Sequence, residues 1–329
     1  MTERVVVIGS NSFSGSNFVD FILEKGLDAI GMSRSPEPND VFLPYKNNRT
    51  SNFKFHQLDL NYDLDRIIEV INNFKPDYVV NFAAQSMVAQ SWLYPEHWFQ
   101  TNVVANIKLH DQLRKCTFLK KYIHISTPEV YGSSEGLVNE NAYYNPSTPY
   151  AVSRAAADMS LMSFYKTYDF PVVFTRAANV YGSGQQLYRI IPKTIISFLS
   201  GKKIPLHGGG HSVRSFIHIR DVADGTLKVA RDGKAGDIFH FSTKEQISIR
   251  SLVEMIADKM NISFLDNIEE TGDRPGKDSV YLLDSSKAKK ILGWEDKISL
   301  EAGIAETIVW VKENLDLLNN QPLSYIHKA

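Results

Sequence analysis

Apolar residues in the first half of the chain fall into short unbroken runs, separated by stretches where they recur every three to four positions. Residues 4–9, Arg-Val-Val-Val-Ile-Gly, have no polar alternation. Such a run suits a strand covered on both faces. A Gly/Ser/Asn loop follows, then a helix over 16–25 closed by Gly26. The same reading predicts strands at 28–33, 53–60, 78–84, 121–126 and 172–176, and helices at 64–74, 95–115 and 151–168. Residues 35–52 are polar and contain prolines, and read as loop. Regular alternation of strand and helix predicts an α/β fold built on a doubly wound parallel sheet.

After Asn179 the rhythm changes. Turns at 182–184 and 207–210 flank a helix around 192–200, and short strands are predicted at 215–218 and 238–241. Helices follow at 250–259, 285–292 and 300–313. This predicts a smaller α/β substrate domain interleaved with the first. Residues 1–178 plus about 214–242 would bind a dinucleotide; 179–213 plus about 243–329 would bind substrate. No internal repeat or low-complexity segment appears.

Composition narrows the function classes. With 329 residues, 43% apolar and 22% charged, the chain can bury a large core. Its 36 basic and 37 acidic residues leave a net charge of −1 without a long basic run, which argues against nucleic acid. A single Cys116 excludes an intrachain disulfide and a multi-cysteine zinc site, and reads as a small buried hydrophobe. No run reaches membrane-span length, and the apolar run at 5–8 is too short for a signal peptide. The expectation is a soluble cytoplasmic protein. His207 and His211 flank a triple glycine and read as turn residues, so no metal is expected. Trp92, Trp98, Trp294 and Trp310 read as packing residues, while Tyr143 and Tyr144 suit either a cleft wall or a surface loop.

Candidate chemistry gathers at a few turns. Gly9-Ser-Asn-Ser12-Phe13-Ser-Gly15 lies between strand and helix, where small residues let a pyrophosphate approach a helix N-terminus. A plain tight turn is the competing reading, because Ser12 stands where a middle glycine is usual. In this context the turn points to a dinucleotide site of the Rossmann type. The second strand ends Gly31-Met-Ser33-Arg34-Ser35 with no carboxylate. An arginine and two serines suit a 2′-phosphate, so the cofactor reading is NAD(P), leaning to NADP. Asp59-Leu60 ends the third strand, where the aspartate would meet adenine or cap the next helix. In Asn81-Phe-Ala83-Ala84-Gln85-Ser86, the alanines would let the chain pass a cofactor and Ser86 would face substrate.

The most informative stretch is Tyr150-Ala-Val-Ser-Arg154, downstream of Ser126-Thr127-Pro128-Glu129-Val130-Tyr131-Gly132. Tyr150 and Arg154 share a helix face. A cation there is expected to lower the phenol pKa from about 10 and favour phenolate. Glu129 would then move a second proton.

These motifs occur in order with Arg176-Ala-Ala-Asn179-Val-Tyr181-Gly182, Arg214-Ser-Phe-Ile-His-Ile-Arg-Asp221 and Asp273-Arg274-Pro275-Gly276-Lys-Asp278. The series resembles the extended short-chain dehydrogenase/reductase family of nucleotide-sugar enzymes over nearly the whole chain. Its nearest likeness is to sugar-nucleotide 4,6-dehydratases. The segment 273–278, with Leu292-Gly293-Trp294, is similar to the dTDP-glucose branch, and 81–86 to the GDP-mannose branch.

The resemblance implies that Tyr150 deprotonates the sugar 4-hydroxyl, that Thr127 hydrogen-bonds it and that Glu129 removes the C5 proton. Arg154 stands at the family's lysine position, against the nicotinamide ribose. Asn179, Arg214 and Arg274 match residues that hold the nucleotide. The resemblance also puts Asn102 with the cofactor and Arg189 with the substrate, a nucleotide-diphosphate sugar. It further implies a homodimer or higher homo-oligomer.

Two positions depart from the pattern. Arg154 keeps the charge of lysine but is wider and holds its proton. Pro128 replaces the aspartate that serves as acid in the dTDP-glucose branch, so Glu129 would both deprotonate C5 and protonate the leaving hydroxyl. The expected activity is a nucleotide-sugar 4,6-dehydratase. Alternatives are a 4-epimerase, 4-dehydrogenase or decarboxylase of the same family, or a non-catalytic cofactor-binding regulator.

Overall fold

The computed structural model describes residues 2–47, 51–133, 136–272 and 282–328. At its centre is a seven-stranded sheet. β1 (Arg4–Ile8), β2 (Asp28–Ser33), β3 (Phe53–Gln57), β4 (Tyr78–Asn81) and β5 (Lys121–Ile125) are joined by a sixth strand, Val172–Ala177, and a seventh, Ile238–Phe241. Their spatial order runs β3, β2, β1, β4, β5, sixth, seventh. Every pairing is parallel. The order reverses between β1 and β4, so a crevice opens at their carboxyl ends.

The unbroken apolar runs follow from burial on both faces. Along β1, Val5 and Val7 enter one core and Val6 and Ile8 the other. Tyr78 and Val80 of β4 divide from Val79 in the same way. One face is covered by α1 (Phe13–Glu24), α7 (Ile219–Asp232) and α9 (Ser286–Leu292). The other is covered by α2 (Leu64–Phe74), α4 (Asn106–Leu113) and α5 (Pro149–Tyr168). A separate core joins α6 (Ile190–Leu199), α8 (Ile249–Met260) and α10 (Leu300–Glu313) beside the sheet.

Several elements differ from the sequence reading. The stretch 95–115 is not one regular helix: α3 (Pro95–Phe99) passes through a wide turn, Gln100–Ala105, into α4. α1 begins at Phe13 rather than 16, because Ser12 accepts from the Gly15 amide and caps it. No helix was expected over α7. Gly225 sits inside it and lowers helix propensity by about 1 kcal/mol relative to alanine. A Cβ at Gly225 would come within 2.6 Å of the Phe241 ring, so close packing on the seventh strand requires glycine.

Cys116 is only half-buried at the edge of a core, not enclosed. Trp98 and Trp294 are fully buried, but Trp92 is 58% exposed and packs into no core. His207 ends a strand, Ile204–His207, and its Nδ1 lies 2.8 Å from Thr271 Oγ1. Among the described residues, no helix is long and apolar enough to cross a membrane. No cluster of three or more metal-binding side chains occurs among them either.

Candidate active site

Two cavities open along the carboxyl edge of the sheet. The first, about 480 Å³, is lined by Gly9, Ser12, Ser33, Arg34, Asp59, Leu60, Ala83 and Ala84 from the ends of β1 to β4. The second, about 730 Å³, is lined by Phe13, Ser86, Thr127, Glu129, Tyr150, Arg154, Asn179, Arg189 and Arg214. Ser12, Phe82 and Ala84 line both, so the cavities meet beside the glycine turn. Arg274 lies outside the described residues.

The turn is tight for identifiable reasons. Gly9 has φ +82°, and a Cβ there would lie 2.6 Å from the Ala83 amide nitrogen. A Cβ on Gly15 would lie 2.2 Å from the Gly9 carbonyl oxygen. Ser12 Oγ donates to that carbonyl at 2.7 Å and accepts from Gly15 N at 3.1 Å. The serine in place of a middle glycine therefore closes the turn. Gly15 shapes it without lining either cavity.

The rest of the first cavity is pinned by side chains that sequence reasoning missed. Asn11 N donates to Ser33 Oγ at 3.0 Å, and its Nδ2 donates to the carbonyls of Ser35 and Pro36 at 3.0 Å each. This fastens the loop after β2 to the turn after β1. Asn11 Oδ1 and Asn61 Oδ1, in the same wall, are buried and find no partner among the described residues. Asp59 does not cap α2, because Asp63 occupies the N-cap position. Asp59 Oδ1 accepts from Asn61 N at 2.8 Å, and the resulting turn faces the cavity.

Asn102, expected at the cofactor, lines neither cavity. Its amide accepts from Gln85 N at 2.8 Å and donates to Gln85 O at 3.0 Å and Ser153 Oγ at 2.9 Å. It ties the loop after β4 to α5 from behind. Asn81 works similarly: its Oδ1 accepts from Ala83 N at 2.9 Å.

At the second cavity, Thr148 caps α5 by accepting from Ala151 N at 3.2 Å, with Pro149 in the first turn. This sets Tyr150 and Arg154 one turn apart, both buried. Thr127 starts a short turn, Pro128–Tyr131, and its Oγ1 accepts from Glu129 N at 3.4 Å. Pro128 occupies the first position of that turn, where a missing N–H costs nothing. Tyr144 packs below the site and Tyr143 is fully exposed, so neither lines the cavity.

The electrostatics of Tyr150 reverse the sequence expectation. Burial and the neighbouring Glu129 carboxylate push the phenol up to about 12, against the lowering influence of Arg154, Thr127 and Arg189. Desolvation penalises a buried phenolate more than these groups favour it.

Arg154, although it lines the cavity, is already engaged by its neighbours. Its Nη2 donates to the Ile125 carbonyl and lies 3.1 Å from His124 Nε2. His124 Nε2 is also 3.3 Å from Asp158 Oδ1. Asp158 Oδ2 accepts from Ser126 Oγ at 2.7 Å and from Arg176 Nη2 at 2.8 Å. Arg176 reaches the hydroxyls of Tyr131 and Tyr144. Despite desolvation, the cations Arg176 and Arg154 and the His124 contact hold Asp158 far below the usual carboxylate range. Burial and the Arg154 charge lower the His124 pKa, against the raising influence of Asp158.

Asn179 Nδ2 donates to the Ser215 carbonyl at 3.2 Å, and Arg214 Nη1 to the Val213 carbonyl at 2.8 Å. Arg189 caps α6 by position and lies over the Tyr188 ring at 5.5 Å. These three place polar groups in the lining of the second cavity.

A parallel sheet with this strand order, and a glycine turn at its switch point, defines a Rossmann-fold protein of the extended short-chain dehydrogenase/reductase class. Residues 6–307 match the model of the GDP-mannose 4,6 dehydratase family, and the chain belongs to that family. A human relative, a dTDP-D-glucose 4,6-dehydratase, is 32% identical over 322 residues, spanning 95% of this chain and 91% of that one. The solved dTDP-glucose 4,6-dehydratase of Streptomyces venezuelae, with NAD bound, is 28% identical, with a TM-score of 0.89 over 95% of this chain and 98% of its own. A UDP-glucose 4-epimerase from Thermotoga maritima, solved with UDP-glucose, is 26% identical, with a TM-score of 0.86 over 95% of this chain and 99% of its own.

Proposed function

We propose that the protein is a nucleotide-sugar 4,6-dehydratase. The observation that carries this reading is the convergence of Thr127, Glu129 and Tyr150 in the lining of the second cavity, which meets the first. Glu129 is close enough to bear on the Tyr150 phenol electrostatically. One base for a hydroxyl and a second for a carbon acid are what oxidation followed by elimination needs.

The first cavity suits a nicotinamide dinucleotide. It sits at the sheet's switch point, has the cramped glycine turn at one side and carries two unpartnered buried acceptors, Asn11 Oδ1 and Asn61 Oδ1. The nicotinamide ring, when bound, supplies a hydride acceptor at sugar C4 and a donor at C6. Gly9, Ser12, Ala83 and Ala84 would admit the pyrophosphate and ring. Ser33 and Arg34 would meet the adenosine ribose. We favour NADP, because β2 ends on Ser33 and Arg34 without a carboxylate.

In this reading Tyr150, in its phenolate form, takes the proton of the sugar 4-hydroxyl at Oη, and Thr127 Oγ1 orients that hydroxyl. Glu129 takes the C5 proton, made acidic by the adjacent ketone. Pro128 has no proton to give, so Glu129 returns its proton to the departing 6-hydroxyl as water. Arg154 keeps positive charge beside Tyr150 and opposes the two influences that raise its pKa. Ser86, Asn179, Arg189 and Arg214 would hold the nucleotide diphosphate and sugar.

Phe99 of α3, Val104 of the wide turn and Ile107 of α4, with Val152 and Met159 of α5, are exposed apolar side chains on elements that pack together. They support a homodimer through this face. The reading puts the enzyme in the cytoplasm, consistent with its one unpaired cysteine.

The experiment is mass spectrometry of purified protein with dTDP-glucose, UDP-glucose and GDP-mannose, without added cofactor. Loss of one water from any of them is expected. The likeness to a solved 4-epimerase supports a second reading, which predicts an isomer of unchanged mass instead. Oxidation that consumes stoichiometric cofactor would replace both.

A further inference from the structure

Beyond α10 and a short helix, Leu315–Leu318, the described residues 319–328 form no helix or strand, yet they return to the first cavity. The Tyr325 ring meets Tyr188, in the wall of the second cavity, edge-on at 5.6 Å. The His327 ring stacks on Tyr94 at 5.3 Å and on Trp98 at 5.2 Å, near-parallel to both at 3° and 8°. His327 Nε2 lies 2.8 Å from His97 Nδ1. The next residue, Lys328, lines the first cavity. Its carbonyl accepts from Gln85 Nε2 at 2.6 Å and from Arg34 Nη2 at 3.3 Å, and its Nζ donates to Ser35 Oγ at 3.0 Å.

Residues 325–328 are thus a strap from one cavity to the other, fixed by aromatic stacking and ending at the loop after β2. Its lysine is delivered beside Arg34 and Ser35, at the end of the strand where a dinucleotide's adenosine ribose is selected. The nearby carboxylates are already engaged. Glu37 accepts from Tyr45 Oη and from Lys46 Nζ, each at 2.7 Å, and Asp59 is turned onto the Asn61 amide. Glu37 and Asp59 both line the cavity, but Lys46 offsets the first, which leaves Arg34 and Lys328 against the single charge of Asp59.

We propose that Lys328 is a cofactor-selecting residue: with Arg34 and Ser35 it forms a two-cation seat for the 2′-phosphate of the dinucleotide. The inference rests on the 2′-phosphate reading of the first cavity. Arg34 supplies a planar fork and Lys328 a mobile point charge, which together can engage a dianionic phosphate. NAD carries a neutral 2′-hydroxyl there and has little to gain from the lysine.

The test is titration of NADPH and NADH into cofactor-stripped full-length protein, followed by cofactor fluorescence. Wild type, Lys328→Met, His327→Ala and Arg34→Ala are compared. Lys328→Met keeps the stem and removes the charge from an exposed side chain. It is expected to weaken NADPH by about tenfold and NADH by less than about twofold, with the NADPH loss shrinking as salt is raised. His327→Ala, which releases the strap from its stack, should produce the same selective loss and add little to Lys328→Met. Arg34→Ala should be selective in the same direction. If wild type prefers NADPH and Lys328→Met keeps that preference, or weakens both cofactors equally, the proposal fails while the 2′-phosphate reading stands. If wild type binds NADH more tightly than NADPH, that reading fails and the proposal with it.

Discussion

The two cavities use arginine in opposite ways. At the first, Arg34 is half-buried and hydrogen-bonded to the carbonyl of Lys328, whose own side chain is exposed to water. At the second, Arg154 and Arg176 are 2% and 0% exposed, and their guanidinium groups are bonded to a carbonyl, a histidine, a carboxylate and two phenols. An exposed cation keeps its hydration until a ligand arrives, so it contributes selectivity and is screened by salt. A buried cation has already lost its water and is worth keeping only if it is fully paired. In return it exerts a fixed potential on its neighbours without reorganising during reaction. The first cavity is thus suited to recognising a charge, and the second to holding one steady beside Tyr150.

This comparison can be broken most severely at the phenol. Tyr150→Phe removes the proposed base and should lower kcat by about 10²–10⁴ while leaving cofactor affinity nearly unchanged, as read by turnover assays and cofactor titration. Turnover within twofold of wild type would end the assignment of Tyr150. Asp158→Asn tests whether the buried cations depend on their carboxylate. With Arg176 left unpaired, urea denaturation at neutral pH should show a loss of about 3–5 kcal/mol. Asp158 has a depressed native pKa, so its contribution is complete above the unfolded-state value and is lost as pH falls through the native one. The difference between variant and wild type should therefore narrow on acidification. An equal difference at neutral and strongly acidic pH would show that packing, not charge, is at work.

The smallest of these effects, and the most specific, belongs to Arg154. Arg154→Met removes a charge that lowers the Tyr150 pKa, so the ascending limb of the rate profile, where the phenol ionises, should move to higher pH and the rate at neutral pH should fall by about tenfold. Arg154→Lys should retain the limb near its wild-type position, because the charge survives although the contact with His124 does not. A methionine variant with an unshifted limb would remove Arg154 from any part in tuning the phenol.

Much of the scaffold was legible because it is written locally. Val5 to Ile8 alternate between two cores, so the run had to be apolar throughout. The same parallel rhythm located β2, β4, β5 and the sixth strand. Gly9, Ser12 and Gly15 announce a turn because their conformations and contacts lie within a few residues of each other. Tyr150 and Arg154 share a face by helix geometry alone. By contrast, α7 was hidden because Gly225 answers to Phe241, a contact outside the helix.

The properties that only the tertiary structure decided are those that depend on burial or on distant chain segments. The spacing of Tyr150 and Arg154 suggested a lowered phenol pKa, whereas desolvation and Glu129 together raise it. Sequence gives the identity of a neighbouring charge but not how much water is left around it, and the water decides the sign. Asn102 has the right type and place for a cofactor ligand, yet its amide is spent on Gln85 and Ser153. Lys328 has no local signal at all: it meets Ser35 across 293 residues of chain, because aromatic stacking around His327 carries it there.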